Sequence, residues 1–285
     1  MMMKNKGIIP INKPNGWTSF DVVNKIKYMV KPLKVGHLGT LDPMATGVLL
    51  VTVGKATKLF DIMQEKQKTY IAEFEFGYLT DTLDSSGEVV ETSSVIPTEQ
   101  QIKDVLENFV GKISQVPPKY SAKSVNGVRA YDLARNNQEF ELKPKIVEIN
   151  TINLLGYNNK YLTLEICCGS GTYIRALGRD IAEQLNSLAT MTSLVRTKVA
   201  NFLVEDCFNI EDINKDNIFK KLMPIQNFLS VPKLELTNED TFKLINGQII
   251  DVLQEDGEYL VINNGNEVAL AKINRNKAKM SIFLD

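Results

Sequence analysis

Residues 36–51 read GHLGTLDPMATGVLLV, a glycine-rich loop that leads directly into an apolar segment. Within the loop, Asp42 stands before Pro43, and a proline biases the preceding residue toward extended backbone geometry. An Asp-Pro pair is also typical of a helix N-cap and the first helical residue, but Gly47 follows so soon that a useful helix has no room. The stretch therefore predicts a stiff loop that presents one carboxylate, followed by a buried strand over residues 48–53.

Outward from this loop, strands and helices are mixed without a regular order. Alternating polarity over residues 70–76 predicts a half-exposed strand, and residues 7–12, 146–155 and 161–168 predict further strands. Apolar residues at helical spacing predict helices capped by Ser19 and by Thr98, the second burying residues up to Val110, and a helix over residues 172–185. Because no repeated βαβ pattern emerges, the predicted fold class is α+β, with a mixed, largely antiparallel sheet flanked by helices.

The end of the chain has a different pattern. Pro232 marks a break, after which short strand-like segments are separated by turn residues, as at residues 246–247 and 263–266. We therefore expect two domains, a larger one over residues 1–230 and a small β domain over residues 231–285.

The composition of the 285 residues is that of an ordinary globular protein, with 44% hydrophobic and 24% charged residues. The chain has 33 basic and 34 acidic side chains, which give a formal net charge of −1. The total charge therefore does not indicate a nucleic-acid partner, and only local clusters of basic residues could do so. Such clusters occur at the first predicted helix and its exit (Lys25, Lys27, Lys31 and Lys34), at residues 112–135 and at residues 272–279.

The cysteine and histidine content limits the chemistry. There are three cysteines, two of them adjacent at residues 167–168. Because the number is odd and adjacent cysteines are poorly placed to form disulfides, this content favours a reducing compartment over a disulfide framework. Because the chain has no CxxC pair and His37 is its only histidine, no metal site is expected. No segment resembles a signal peptide, and no apolar run approaches membrane-spanning length. We therefore expect a cytoplasmic protein without a membrane partner.

Two segments resemble phosphate-binding loops but lack a required residue. After residues 54–55, Ala56 occupies the position that should ligate magnesium, and the preceding residues form an apolar strand. Residues 169–171, Gly-Ser-Gly, stand between a strand and a helix as in a dinucleotide site, but Ile174 occupies the third glycine position. A nucleotide-binding enzyme that uses this second loop is one alternative hypothesis.

The loop around Asp42 resembles the catalytic motif of the TruB family of tRNA pseudouridine synthases, which reads roughly GHxGTLDPxATGVL. Further segments match motifs of that family in the same order: residues 13–19 (KPxGWTS), 68–70 (KTY), 80–87 (TDTxDxxG), 117–135 (PPxYSAxKxxGxRAYxLAR), 171–175 (GTYIR) and 194–197 (LRRT, with Val195 in place of the first arginine). The resemblance extends from residue 7 to about residue 203.

This resemblance implies a sheet of the pseudouridine synthase type and a small C-terminal, PUA-like RNA module. It implies an isomerase that converts uridine 55 in the T loop of tRNA to pseudouridine, without cofactor or metal, by flipping the base out of the RNA. The implied partner is the T stem-loop of tRNA, and the protein is expected to be a monomer with no obligatory protein partner. A second hypothesis is a non-catalytic tRNA-binding or tRNA-remodelling protein on the same scaffold.

The resemblance also implies the site residues. The implied catalytic residues are Asp42, Tyr70 and Arg175, and the implied substrate-binding residues are His37, Tyr173, Leu194 and Lys13. Asp42 would act as a nucleophile or as a charge stabiliser, roles that suit an ionised carboxylate, and Arg175 would be its cationic partner. Tyr70 would pack on the target base, His37 would be wedged into the RNA, and Lys13 would support the loop. From spacing alone, Arg175 would be a surface arginine and Tyr70 a core tyrosine.

Overall fold

The protein, seen here in a computed structural model, is described over residues 5–64, 66–121, 123–125, 127–136 and 138–284. The chain divides into two compact units. The first comprises Met1–Pro43, Val48–Gln64 and Glu205–Asp285, and the second comprises Met44–Gly47 and Glu65–Val204. The expected boundary at residue 231 is not one of these divisions and stays a prediction.

The helices and strands of the described residues are as follows. The strands are β1 (Gly7–Lys13), β2 (Val35–His37), β3 (Thr46–Val53), β4 (Lys68–Phe76), β5 (Tyr78–Thr80), β6 (Val89–Thr92), β7 (Gly111–Gln115), β8 (Ser124–Val125), β9 (Val128–Arg129), β10 (Lys145–Asn158), β11 (Tyr161–Cys168), β12 (Ala189–Val199), β13 (Phe202–Leu203), β14 (Phe208–Asn209), β15 (Lys233–Glu235), β16 (Ile250–Asp251), β17 (Gly257–Asn263), β18 (Asn266–Asn274) and β19 (Lys277–Phe283). The α-helices are α1 (Ser19–Val30), α2 (Phe60–Gln64), α3 (Glu99–Leu106), α4 (Ala130–Arg135), α5 (Ile174–Gln184), α6 (Ile218–Lys221) and α7 (Asn238–Ile245).

In the first unit, β1 lies between β14 and β3, and β2 pairs with β3. Helix α1 begins one residue earlier than expected, because Thr18 rather than Ser19 is its N-cap. The Thr18 hydroxyl accepts a hydrogen bond from the Asp21 backbone, and the Asp21 carboxylate accepts one from the Thr18 backbone, which together form a capping box. The prediction of Ser19 as the cap was therefore wrong by one position, and Ser19 is instead a buried residue of the helix.

The second unit is built on a sheet in the order β12, β4, β11, β10, β7. These neighbours are antiparallel, and Thr46 and Gly47 of β3 add a parallel pairing with Val195 and Arg196 on β12. The alternation predicted for β4 is confirmed, because every second residue from Lys68 to Phe76 is buried. Together with the helices, this mixed sheet confirms the α+β fold class.

Helix α5 covers the buried face of β4. A Cβ atom built on Gly178 would lie 2.2 Å from a ring carbon of Phe74, so only glycine allows the helix to lie this close to the strand. Helix α3, by contrast, ends at Leu106, and Val110 is 47% exposed. The prediction that Val110 is buried was wrong, because the helical spacing was carried past the end of the helix.

The C-terminal residues form a separate five-stranded sheet in the order β15, β17, β18, β19, β16. Its own apolar core includes Leu234, Val261 and Ala269, which confirms the predicted small β fold at the end of the chain. The sequence analysis missed helix α7, although Thr237 caps it and accepts a hydrogen bond from the Asp240 backbone. Within the described residues, no helix has the length and apolar character that crossing a membrane would require.

Candidate active site

Asp42 lies in the first unit, on the loop that connects β2 to β3. Asp42 is half-buried, and the two residues after it form a turn before the strand begins at Thr46. Because a turn and not a helix follows Pro43 in this described segment, Asp42 is not a helix N-cap. The interpretation of the Asp-Pro pair as a helix N-cap is therefore excluded.

The side chain of Lys13 bonds to the backbone of this loop and of the segment before α1. Its side chain is fully buried, and its Nζ donates hydrogen bonds to the carbonyl oxygens of Pro43 at 3.1 Å, Pro14 at 2.9 Å and Trp17 at 2.5 Å. Burying an ammonium group is costly unless acceptors replace its water, and these carbonyls do so. Since one acceptor directly follows Asp42, the lysine fixes the backbone next to the carboxylate. This geometry agrees with the expectation that Lys13 supports the loop.

The residues on either side of Asp42 are anchored as well. The Ser19 hydroxyl accepts a hydrogen bond from the Leu41 backbone nitrogen at 2.9 Å and donates one to the Leu41 carbonyl at 3.2 Å. On the other side, the Gly16 nitrogen donates to the Pro43 carbonyl at 2.9 Å. The backbone is thus held immediately before and after Asp42, which limits how far its carboxylate can move.

His37 lies at the end of β2, at the entrance to the same loop. It pairs with Val51 of β3 and is half-buried. The chain turns after it at Gly39, whose φ of +96° lies in the left-handed region that favours glycine. The first unit therefore brings His37, Lys13 and Asp42 together around one loop.

In the second unit, Tyr70 and Leu194 lie on neighbouring strands of the sheet. Tyr70 on β4 stands opposite Ile166 of β11 and Arg196 of β12, and Leu194 stands opposite Ala72. Residues two apart on a strand share a face, so Tyr70 and Leu194 are diagonal neighbours on the face that α5 covers. Both are almost fully buried in this structure.

Arg175 lies in the first turn of α5 and is buried, not on the surface as its spacing alone suggested. Its Nη1 is 3.2 Å from an Asp84 carboxylate oxygen and donates to the Thr82 carbonyl at 2.7 Å, and its Nη2 donates to the Tyr120 carbonyl at 3.0 Å. The carboxylate that the structure pairs with Arg175 inside the second unit is thus Asp84. The sequence analysis included Asp84 only within the TDTxDxxG segment and missed this contact.

The turn around Asp84 is itself tightly bonded. One carboxylate oxygen accepts hydrogen bonds from the Thr82 hydroxyl at 2.8 Å and the Ser86 backbone nitrogen at 3.0 Å, while the other faces Arg175. A Cβ atom on Gly87 would lie 2.3 Å from the Asp81 carboxylate, so a larger residue there would displace the side chains of this turn. The TDTxDxxG segment therefore builds a rigid receptor for the guanidinium group.

Two further side chains position the segments around this arginine. The Tyr120 hydroxyl bonds to Asp81, and this hydrogen bond, followed by burial, raises the pKa of the Tyr120 phenol. The Gln115 side chain accepts from the Tyr173 backbone nitrogen at 2.9 Å and donates to the Tyr173 carbonyl at 3.2 Å. Tyr173, the residue just before α5, is therefore fixed by a strand residue that no sequence motif identified.

A buried cationic pair accompanies Tyr70 on its face of the sheet. Lys68, two residues earlier on β4, is almost fully buried, and Arg196 is only 1% exposed. Burial and then the charge of Arg196 lower the pKa of the Lys68 ammonium group to about 8. Burial also raises the pKa of the neighbouring Cys168 thiol to about 11. The Lys68 and Arg196 side chains lie beside Tyr70 on the sheet, and the sequence analysis assigned neither of them a role.

The loop at residues 169–171 is a turn between β11 and α5. Both sheet neighbours of β11 are antiparallel to it, whereas a dinucleotide site requires a parallel βαβ unit. The alternative hypothesis of a nucleotide-binding enzyme that uses this loop therefore has no structural support.

Comparison with solved structures identifies the fold. A chain from a solved H/ACA ribonucleoprotein bound to a substrate RNA containing 2′-deoxyuridine matches with a TM-score of 0.72 and 22% identity, covering 100% of this chain and 86% of that one. A chain from an archaeal box H/ACA ribonucleoprotein complex matches with a TM-score of 0.72 and 21% identity, covering 100% of this chain and 88% of that one. At this identity the likeness concerns the fold alone.

Sequence comparison gives the class of protein. The profile of the TruB family pseudouridylate synthase N-terminal domain matches residues 27–174, so fold and sequence together define a pseudouridine synthase. Proteins named tRNA pseudouridine synthase B are 44% identical in Clostridium kluyveri, covering 85% of this chain and 84% of that protein, and 39% identical in Mycoplasma mobile, covering 96% and 93%. The chain belongs to the TruB family of pseudouridine synthases.

Proposed function

We propose that this protein isomerises uridine 55 in the T loop of tRNA to pseudouridine, with Asp42 as the catalytic carboxylate. Family membership supports the reaction, and the names of the related proteins support tRNA as the substrate. The single observation that carries the role of Asp42 is its loop, which is anchored immediately before and after the residue and is not part of a helix cap.

The reaction balances within the substrate itself. The bond between N1 of the base and C1′ of the ribose breaks, the base turns, and C5 bonds to C1′. The proton that leaves C5 is replaced by a proton gained at N1, so no atom, electron or cofactor is consumed. Detachment of the base develops positive charge at the sugar, and an ionised carboxylate such as that of Asp42 offsets this charge as a nucleophile or as a stabilising group.

The other proposed roles follow from the chemistry of each side chain. Arg175 provides positive charge that favours the ionised form of a nearby carboxylate, and Tyr70 offers a ring on which the flipped base stacks. Tyr173 and Leu194 line the pocket for the base. His37 fills the space in the RNA loop that the base leaves, which offsets part of the cost of unstacking, about a few kcal/mol.

We also propose how the protein is organised and where it acts. Residues 231–285, which contain the separate five-stranded sheet, act as a PUA-like RNA module, and residues 1–230 act as the catalytic domain. The protein works as a monomer in the cytoplasm, on the T stem-loop of tRNA.

The decisive experiment incubates the purified protein with an unmodified tRNA transcript and no cofactor, and measures pseudouridine at position 55. The wild-type protein is expected to form product, and Asp42→Asn to form none while its affinity for tRNA stays within about twofold of wild type. Asp61→Asn, which removes an exposed carboxylate of the same unit, is the matched control and should be fully active. Product formation by Asp42→Asn would remove Asp42 from the chemistry. Binding without product in the wild-type protein would favour the non-catalytic tRNA-binding hypothesis.

A further inference from the structure

The solvent-facing side of α1 carries two large aromatic rings that are mostly exposed. Phe20 is 66% exposed and Tyr28 is 63% exposed. An α-helix turns 100° per residue, so Phe20 and Lys27 lie along one line of the helix and Tyr28 lies beside it. Lys31 is the residue that directly follows the helix at its C-terminal end. We call Phe20, Lys27, Tyr28, Lys31 and Lys215 the α1 surface.

Cationic groups surround the exposed tyrosine. Lys31 Nζ lies 5.7 Å from the centre of the Tyr28 ring, and Lys215 Nζ, from the segment before α6, lies 4.4 Å from it. Among the residues that the structure describes, Lys27, Lys31 and Lys215 form no ion pair with a carboxylate. The one acidic residue of α1, Asp21, is bonded to the Thr18 backbone and hydroxyl.

The α1 surface begins at the loop that carries Asp42. Ser19, the first residue of the helix, is bonded to Leu41 through both of the contacts described above. From Ser19 to Val30 the helix rises by about 16 Å, at about 1.5 Å per residue. A stacked nucleic-acid strand rises about 3.4 Å per nucleotide, so the surface matches the length of about five nucleotides.

Among possible partners, a nucleic-acid strand fits these features best. An apolar protein surface would bury the lysines without countercharge, which is costly. An acidic peptide would pair with the lysines but would leave the rings uncovered. An RNA strand supplies both phosphates for the ammonium groups and base faces for the rings, and stacking on an aromatic side chain is independent of sequence.

We propose that the α1 surface binds the RNA strand of the substrate tRNA that adjoins the target nucleotide, with a base stacked on Tyr28 and phosphates bound by Lys27, Lys31 and Lys215. This assignment rests on the proposed function only in naming tRNA as the RNA. The surface is separate from the proposed reacting groups, so it contributes affinity and not chemistry.

The test measures the Kd of an unmodified full-length tRNA transcript between about 50 and about 200 mM salt, a range over which phosphate contacts weaken steeply. Tyr28→Ala is expected to raise Kd about tenfold, whereas Tyr28→Trp, which keeps a stacking ring, retains wild-type affinity. The triple variant Lys27→Ala/Lys31→Ala/Lys215→Ala should reduce the steepness of log Kd against log salt by about 2, at about 0.7 per phosphate contact. All these side chains face solvent or lie near the surface, so the variants are expected to fold normally.

Matched controls come from lysines and a tyrosine elsewhere in the chain. Tyr161 is 40% exposed with Lys160 Nζ 5.7 Å from its ring centre, so Tyr161→Ala tests a similar exposed pair. The triple variant Lys103→Ala/Lys160→Ala/Lys243→Ala removes the same total charge from lysines that are already paired with carboxylates. Both controls should keep Kd within about twofold of wild type and should keep the wild-type salt dependence.

The outcomes separate this proposal from the proposed function. If both α1 variants bind tRNA as the controls do, the α1 surface is not an RNA site and the proposal is overturned, whatever the enzyme catalyses. If the α1 variants lose affinity but keep the wild-type kcat at saturating tRNA, the proposal is supported. If the wild-type protein forms no pseudouridine, the proposed function fails, and the binding comparison still decides the role of the surface.

Discussion

Replacement of Asp84 by asparagine tests how the fold positions Arg175. The two side chains are only 7% and 5% exposed, and the closest guanidinium nitrogen and carboxylate oxygen lie 3.2 Å apart. Removing one partner of a buried ion pair costs about 3–5 kcal/mol, because the remaining charge stays desolvated without compensation. Asparagine keeps an oxygen for the Thr82 and Ser86 hydrogen bonds, so Asp84→Asn should lie near the lower value, about 3 kcal/mol.

Urea unfolding followed by circular dichroism measures this loss directly. In thermal unfolding, where 1 kcal/mol shifts the Tm of a chain of this size by about 2 °C, the Tm of Asp84→Asn should fall by about 6 °C. The matched control is Glu99→Gln, which breaks an ion pair with Lys103 on the surface of α3, where both side chains are about half exposed. Exposed pairs contribute less than about 1 kcal/mol. If Asp84→Asn is no less stable than Glu99→Gln, the buried ion pair between Asp84 and Arg175 does not stabilise the fold.

The same variant separates stability from positioning. The guanidinium group is also held by the Thr82 and Tyr120 carbonyls, but the loss of Asp84 removes the only one of these three contacts that carries a charge. We therefore expect kcat for pseudouridine formation to fall at a temperature where Asp84→Asn is fully folded, with little change in KM. An unchanged kcat in folded Asp84→Asn would mean that Asp84 stabilises the fold without orienting a group that matters for turnover.

Two further predictions concern the sheet of the second unit. Gly178→Ala should destabilise the protein by about 2 kcal/mol in urea unfolding, because overpacking against the buried Phe74 ring outweighs the gain in helix propensity of about 1 kcal/mol. The control is Gly156→Ala, where an added Cβ atom meets nothing within 4 Å, and a Gly178→Ala protein more stable than wild type would contradict the close packing of α5 on Phe74. Lys68 has a pKa of about 8 in the folded protein and 10.5 as the ordinary value, so between these pH values the unfolded state binds more protons and stability rises with pH. Relative to Lys68→Met, the unfolding free energy of the wild-type protein should increase by about 2 kcal/mol from about pH 7.5 to about pH 9.5, and a parallel pH dependence of the two proteins would show that the Lys68 amine is not desolvated as described.

Local sequence patterns predicted strands and turns well where a single kind of pattern, such as alternating polarity or a group of glycine and proline residues, dominates the segment. The alternation in β4 predicted its buried face, and the glycine and proline residues around Asp42 predicted a turn in place of a helix. The exceptions lie at ends of elements: Thr18 replaced Ser19 as the cap of α1, and the helix before Val110 ended early. At these ends several neighbouring residues can satisfy the same backbone groups, and the sequence pattern does not choose among them.

The family resemblance proposed a set of site residues, but it did not identify all the side chains that hold them in place. The family motifs identified Asp42, Tyr70 and Arg175 as one set, whereas composition and spacing alone would have left Arg175 on the surface. Neither source of information identified Asp84 as the carboxylate beside Arg175, nor Gln115 as the residue that fixes the backbone of Tyr173. These contacts join residues 58 or more positions apart in the chain, and a local pattern carries no information about such pairs.

The sequence by itself determined the class of fold, the loop that presents Asp42 and the family to which the chain belongs, because local backbone preferences and contiguous motifs are readable along the chain. Only the tertiary structure decided which carbonyl groups the buried Lys13 ammonium group contacts, that Asp84 pairs with the buried Arg175, and that Lys68 lies beside Arg196. Each of these contacts forms only where segments distant in the sequence pack together and exclude water from the side chains between them. Burial makes a charge costly and a hydrogen bond selective, and burial is a property of the assembled chain.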